Sequence, residues 1–174
     1  MKFTEKSTEV FVANGPIVQV TRADIEFLKQ RLTATPRQRV RLCAHPSSDH
    51  YLHEMMIVMG RGTYIRPHKH TDKVESFHVV EGAVDVVIFH DDGTVREIVS
   101  LGDLASGKNF FYRLSAPLYH TIILRSDVLV IHETTNGPFR RDDTQFAPWS
   151  PEETDAAGAM KFSENLSKSV AAML

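Results

Sequence analysis

Cysteine is almost absent from this sequence, since Cys43 is the only one in 174 residues. No disulfide can therefore form within the chain, and nothing indicates an oxidising compartment. Cys43 itself is expected to be a small buried hydrophobic residue.

The sequence also lacks long apolar runs and an excess of charge of either sign. No segment approaches the roughly 20 apolar residues of a membrane-spanning helix, and the opening MKFTEKSTEVFVANG lacks the apolar core of a signal peptide. Lysine and arginine number 20 against 22 acidic residues, for a formal net charge of -2. Because these charges are interleaved, no basic stripe is available to a phosphate backbone. We expect a cytoplasmic protein that binds neither membranes nor nucleic acid.

What is present favours a single domain of mainly β structure. Hydrophobic residues make up 42% of the chain, which is enough for one sizeable core. From Tyr51 onward, short apolar runs are separated by turn signals such as HDDG, a pattern typical of an antiparallel sandwich or barrel. We predict a lead-in over residues 1–50, a barrel over residues 51–140 and a C-terminal extension over residues 141–174.

One helix is expected on each side of the barrel in the sequence. Thr21 resembles an N-cap, and the apolar spacing in IEFLKQRL predicts a helix over residues 24–32. Ser150-Pro151 followed by two glutamates predicts a second helix over residues 152–166. Before the first helix, PIVQV is interpreted as a short strand. Because exposed strand edges invite pairing, we expect a homodimer.

The segment GTYIRPHKHTDKVESFHVVEG carries the main chemical signal. Side chains two residues apart in a strand share a face, so His68 and His70 can bind one small cation, with Glu75 close behind. Two imidazoles and one carboxylate leave room for another nitrogen ligand on a divalent cation, and His120 in the strand LYHTIIL is the best candidate.

Other polar side chains are candidates for the remainder of a pocket. The alternation that pairs the two histidines also places Tyr64 and Arg66 on their face, so an anion could bridge Arg66 and the cation. His132 and Glu133 are adjacent in the sequence, so only one of them can point inward. Tyr64 or His132 could serve as acid or base, and the candidate substrate-binding residues are Arg37, Arg39, Arg66 and Arg140.

The spacing of these residues resembles a known family. Gly62, His68, His70, Glu75 and Gly82 match the first cupin motif at every position, whereas the second motif is kept only in part, around His120. A narrower resemblance, carried by PRQRVRLCAH, TYIRPHKHTDKVESFHVVEG and YHTIILRSDVLVIHETTNGPF, is to WbuC-type cupin-fold metalloproteins, which are found with genes for surface polysaccharides. The resemblance implies a cupin double-stranded β-helix (jelly-roll barrel) with one metal ion.

Three functions are compatible with these features. A divalent transition metal (zinc, iron, manganese or nickel) in such a set can polarise an oxygen or activate a water. The first hypothesis is an isomerase, epimerase or lyase acting on a sugar, sugar phosphate or nucleotide sugar. The second is an iron-dependent dioxygenase, and the third is a non-catalytic cupin that binds a small carbohydrate or anion and regulates a pathway. No sequence feature separates the three.

Overall fold

The computed structural model describes residues 2–174 and consists mainly of β-strands. In chain order the strands are β1 (Phe3–Ser7), β2 (Val10–Ala13), β3 (Arg39–Cys43), β4 (Leu52–Gly60), β5 (His68–His70), β6 (Glu75–Glu81), β7 (Ala83–Phe89), β8 (Val95–Gly102), β9 (Phe111–Leu114), β10 (Tyr119–Leu124), β11 (Val128–Asn136) and β12 (Thr144–Phe146). The helices are α1 (Arg22–Arg31) and α2 (Ala156–Ala171). Within the described residues, neither helix has the length and apolar character needed to cross a bilayer.

Two sheets face each other and enclose the interior. The larger has the strand order β1-β2-β3-β4-β11-β6-β9 and the smaller has the order β12-β5-β10-β7-β8. The neighbouring strands pair antiparallel except β2 with β3, which pair parallel. Inward-facing residues from both sheets, such as Ile57, Val84, Leu101 and Ile131, form one apolar cluster. The mainly β barrel with one helix near each end of the chain is therefore confirmed.

Each helix covers the outer face of one sheet. On the larger sheet, Leu28 of α1 packs with Val40 and Val58, and all three are at most 1% exposed. On the smaller sheet, Val170 of α2 packs with Val87. Strand residues that point outward pack against a helix, so apolar side chains are buried outside the barrel as well as inside it. Part of the interior can therefore hold polar groups.

The ends of both helices are set by their caps. Thr21 and Asp24 form the predicted capping box, with the Thr21 backbone N–H donating to Asp24 Oδ2 at 2.7 Å. The second helix begins at Ala156 rather than at residue 152, because Ser150 Oγ donates to Ala147 O and the cap is instead Asp155, which accepts from Gly158 N. It ends at Ala171 rather than at residue 166, because packing of its last turn extends it.

Strands at the N-terminus differ from the prediction. PIVQV, residues 16–20, is not a strand, because Pro16 offers no backbone donor and β2 and β4 already occupy the sheet positions beside β3. The homodimer prediction was based on this strand, so it has no support from this part of the structure. The strand that carries the two histidines is only the three residues of β5, and residues 39–43 form the strand β3.

Asp85 connects the smaller sheet to α2, and its removal should cost stability. Asp85 is 3% exposed, accepts from Ser100 Oγ at 2.6 Å and pairs with Arg125 Nε at 2.6 Å, while Arg125 Nη1 donates to Ser167 Oγ of α2. We expect Asp85→Ala to lower the free energy of unfolding by about 2 to 3 kcal/mol, because it leaves a guanidinium without its buried partner. Equilibrium urea unfolding measures this change.

The control is Asp127→Ala, which removes the partner of Arg61 in a pair whose side chains are 64% and 88% exposed. No measurable loss of stability is expected there. Equal effects of the two substitutions would contradict the role given to Asp85.

Candidate metal centre

Four residues predicted as metal ligands lie together in the barrel, and we call them the His/Glu cluster: His68, His70, Glu75 and His120. Two come from β5, one from the start of β6 and one from β10, so both sheets contribute. One ligand atom from each lies within 4.8 Å of the others, so the group could hold a metal ion. His68 stands directly opposite His120 in the ladder between β5 and β10, and their ring centroids are 4.5 Å apart.

The three imidazoles are oriented by hydrogen bonds on their Nδ1 atoms. His68 Nδ1 lies 2.9 Å from Arg66 O, and His120 Nδ1 lies 3.0 Å from Leu118 O. His70 Nδ1 lies 3.2 Å from the hydroxyl of Thr144, its register partner on β12. Because Nδ1 is occupied in each ring, Nε2 is the atom left for a ligand. Metal-binding histidines in proteins show this arrangement.

The free Nε2 atoms converge on Glu75. His120 Nε2 is 2.9 Å from Glu75 Oε1, and His70 Nε2 is 3.4 Å from Oε2. Although these atoms are close, His120 Nε2 is buried and has no partner in hydrogen-bond geometry among residues 2–174. A buried nitrogen without a well-aligned hydrogen bond, next to a carboxylate, is a good ligand for a divalent ion. The residues present therefore fit a metal.

Charges in the His/Glu cluster already favour a cation beside the carboxylate. Burial and the neighbouring His120 lower the pKa of His68 to about 4, so His68 is neutral near pH 7, the form that can coordinate a metal. Burial opposes charge on both Glu75 and His120, but their mutual attraction outweighs it. The pKa of Glu75 is consequently lowered and that of His120 is raised.

Two cavities meet at the His/Glu cluster. The inner cavity, of about 200 Å³, is lined by the cluster together with Arg39, Arg41 and Glu133. The outer cavity, of about 310 Å³, lies beyond it and is lined by residues that include Cys43, His45, His53, Lys73 and Phe139. Both cavities are lined by Arg41, His70, Glu75 and Glu133.

Tyr64 and Arg66 do not share the face of the two histidines. Residues 62–67 form no ladder, so strict alternation does not hold, and it is Ile65 that lines the inner cavity. The Tyr64 hydroxyl donates to Pro151 O at 2.9 Å, and burial raises the pKa of Tyr64 to about 12. Arg66 Nε donates to Ser150 Oγ at 3.2 Å and its guanidinium lies over Phe146. Both side chains thus hold the C-terminal segment against the barrel.

The other predicted arginines are in three different surroundings. Arg37 is on the surface, where it pairs with Glu9 and with Glu153 at 3.5 Å. Arg140 is exposed in the loop after β11. Arg39 lines the inner cavity, and burial, together with the charges of Arg41 and Arg37, lowers its pKa to about 10. Of these three arginines, only Arg39 lines the inner cavity.

Of the adjacent pair on β11, Glu133 is the residue that points inward. His132 lies on the outer face, 3.8 Å from Glu54 Oε1 and beside the ring of His78, so the structure does not bring it to the His/Glu cluster. The side chain of Glu133 lines both cavities and is otherwise surrounded by protein. Burial and the nearby Glu75 raise the pKa of Glu133 to about 7, in spite of Arg41 and Arg39.

Sequence reasoning missed Arg41, although the signal was available. Arg39 and Arg41 are two residues apart in β3, so they share a face, while Val40 and Leu42 between and after them pack under α1. Recognising RVRLC as a strand would have placed Arg41 inside the barrel together with Cys43, which is buried as predicted.

Comparison of sequence gives one partial match, to a family of unknown function. A family model described as a domain of unknown function (DUF6016) matches residues 20–101. Among curated proteins, none is similar enough in sequence to count as a relative.

Solved structures show the fold. The capsular polysaccharide assembling protein CapF from Staphylococcus aureus is 20% identical, with a TM-score of 0.51 over 64% of this chain and 32% of that one. CapF with the inhibitor 3-isopropenyl-tropolone gives 17% identity and a TM-score of 0.50 over 72% of this chain and 40% of that one. The chain therefore spans well under half of CapF. Its two-sheet barrel is a jelly-roll-like cupin fold.

Metal content tests the His/Glu cluster. We expect the purified protein to carry one divalent metal per chain and the double variant His68→Ala, His70→Ala to carry none, because two of four ligands are lost. Elemental analysis after gel filtration measures the metal-to-protein ratio.

The matched control removes two histidines from the outer face of the larger sheet, His78→Ala with His132→Ala. This variant should retain the metal, since neither side chain belongs to the His/Glu cluster. Metal retained by the first double variant, or lost from the control, would contradict the assignment.

Proposed function

We propose that this cupin binds one divalent transition metal through the His/Glu cluster and uses it to act on a small molecule held in the barrel. The observation that carries the proposal is the convergence of three imidazole rings and one carboxylate at a point where two cavities meet. Ligand sites in proteins are typically concave and enclosed, with convergent polar groups on an otherwise apolar wall, and these two cavities share those features.

A bound metal ion would supply Lewis acidity, polarising a substrate oxygen or activating a water. The remaining chemistry belongs to side chains of this chain. Glu133 lines both cavities, and its carboxyl group can hold a proton near neutral pH, which suits a general acid or base. Glu133 therefore replaces Tyr64 and His132 as the proposed acid or base, because neither of those side chains reaches the cavities.

As substrate class we propose a sugar, sugar phosphate or nucleotide sugar of surface polysaccharide biosynthesis. The resemblance to WbuC-type cupins supports this class, and so does the name of CapF as a capsular polysaccharide assembling protein. The outer cavity is near the lower end of the range of about 300 to 1,000 Å³ seen for ligand pockets. A monosaccharide derivative is the size of ligand that fits best.

An iron-dependent dioxygenase is the second candidate, because three imidazoles and a carboxylate also suit iron. Metal identity separates the two. Zinc or manganese, with no oxygen uptake, agrees with the isomerase, epimerase or lyase proposal. Iron with substrate-dependent oxygen uptake agrees with the dioxygenase.

Ligand binding should depend on the metal. In a thermal-shift screen of sugars, sugar phosphates and nucleotide sugars, we expect at least one compound to raise the Tm of the metal-loaded protein, because a ligand that binds only the native state stabilises it. The His68→Ala, His70→Ala variant should show a smaller shift or none. The same Tm shift in both proteins would show that the ligand binds without the metal.

We also propose a homodimer, now through a different edge. Strand β9 ends the larger sheet, and the side chains of Phe110, Phe111 and Val80 beside it are 44%, 50% and 48% exposed. An apolar sheet edge of this kind favours association. Light scattering should give twice the monomer mass, and Phe111→Lys should shift it to the monomer. Monomer mass for the unmodified protein over a wide concentration range would rule the dimer out.

A further inference from the structure

Two arginines point into the barrel from β3, and the packing of that strand fixes their direction. Val40 is fully buried and Leu42 is 2% exposed, both under α1 on the outer face of the larger sheet. Arg39 and Arg41, on the opposite parity, must therefore face inward. Arg41 lines both the inner and the outer cavity, next to the His/Glu cluster, whereas Arg39 lines the inner cavity alone.

Within the described part of the chain, neither guanidinium is in direct contact with a carboxylate, although the charges of Glu9 and Glu133 act on both. Among residues 2–174, the side chains of Arg39 and Arg41 make no hydrogen bond and no ion pair, and Arg39 Nε is buried without a partner. A buried cation normally has a hydrogen-bonded anion beside it, because desolvation of a free charge is costly. Two half-buried arginines side by side without a direct partner are therefore an unusual structural feature, and they are available to bind an anion from outside the chain.

The charge balance of the interior gives the sign of that partner. Two carboxylates, Glu75 and Glu133, face two guanidinium groups, so these four side chains are balanced at most. A divalent ion in the His/Glu cluster adds two positive charges that no further carboxylate in the inner cavity offsets within the described residues. The interior of the metal-loaded protein is consequently positive, and an anion is the ligand that restores neutrality.

We propose that Arg41, assisted by Arg39, binds the carboxylate or phosphate group of an anionic small molecule that enters through the outer cavity and reaches the His/Glu cluster. The proposal rests on the metal-binding function proposed above. Guanidinium groups bind both anions through paired hydrogen bonds, so the shared chemistry is a planar or tetrahedral oxyanion.

The outer cavity suits the rest of such a molecule. The rings of His45 and His53 are stacked with centroids 4.1 Å apart, and Phe139 provides a further aromatic group on the wall. The hydroxyl groups of Ser47 and Thr135 also line this space and can hydrogen-bond to ligand hydroxyls. Together these groups favour a hydroxylated body of monosaccharide size, such as a sugar phosphate or a sugar acid.

Arginines outside the cavities provide a contrast. Arg66 is held by Ser150 and Phe146, with Glu152 Oε1 at 3.9 Å, and Arg37 is paired with Glu9. Arg113 is exposed on β9. The first two have protein partners and the third is solvated, so none of them needs a ligand.

The test is calorimetric titration of the metal-loaded protein with glucose 6-phosphate, glucuronate and glucose. The variants are Arg41→Ala, Arg41→Lys and, as the control for loss of one positive charge, Arg113→Ala. We expect Arg41→Ala to bind at least one of the two anions about 10- to 100-fold more weakly, because a charge-assisted hydrogen bond is lost. Arg41→Lys should recover part of the affinity, and Arg113→Ala should bind as the unmodified protein does.

Stability is measured in parallel, because it separates a binding role from a structural one. An arginine without partners contributes little to folding, so Arg41→Ala without ligand should unfold at the same or a higher urea concentration. A large loss of stability would show that Arg41 is structural and would overturn the proposal. Should Arg41→Ala fail to fold, Arg41→Lys alone decides between the two roles through its anion affinity.

The remaining outcomes distinguish this proposal from the proposed function. A protein that binds no metal contradicts the proposed function, whatever the anions do. Retained metal with unchanged anion affinity in Arg41→Ala, equal loss for glucose and the anions, or no anion binding by the unmodified protein overturns the role of Arg41 only. A response to glucose 6-phosphate alone identifies phosphate as the recognised group, and a response to glucuronate alone identifies the carboxylate.

Discussion

The register between β5 and β10 is the constraint on which the candidate site depends. It sets His68 directly opposite His120, and the backbone carbonyls two residues before each histidine fix the Nδ1 side of each ring. The orientation of these two rings is therefore a property of the main chain. A shift of β5 by one residue in this ladder would turn His68 to the face of the sheet opposite His120.

The polar interior is possible because apolar burial occurs elsewhere in the fold. The helices form two clusters on the outer faces of the sheets, and a third cluster fills the barrel around the His/Glu cluster. Arg39, Arg41 and Glu133 occupy positions where an apolar side chain would stabilise the fold more. Natural proteins accept such positions mainly at functional sites.

The sequence predicted the direction of a side chain correctly where its residue lies in a paired strand, and incorrectly where it does not. The four residues of the His/Glu cluster were predicted from local spacing and from one distant strand, and the structure brings them together through paired strands. Arg66 was misplaced because residues 62–67 lie before the ladder, where Pro67 accepts from Ala147 N and the chain packs against the C-terminal segment. That contact joins residues 80 positions apart, which no local pattern shows. Arg41 was within reach of simple alternation, whereas the inward direction of Glu133 was decided by the pairing of β11 with β4 and β6.

Strand β5 has only three residues, yet it has a neighbour on each side, β10 and β12. A strand this short at a sheet edge would fray, and its amide hydrogens would exchange rapidly with solvent. Because β12 takes the edge position, the fraying end is Thr144–Phe146, and its release frees His70 Nδ1 from its hydroxyl partner. Opening of β5 is thus linked to detachment of β12, a segment far along the chain, so the lifetime of an ion held by the His/Glu cluster would depend on both strands.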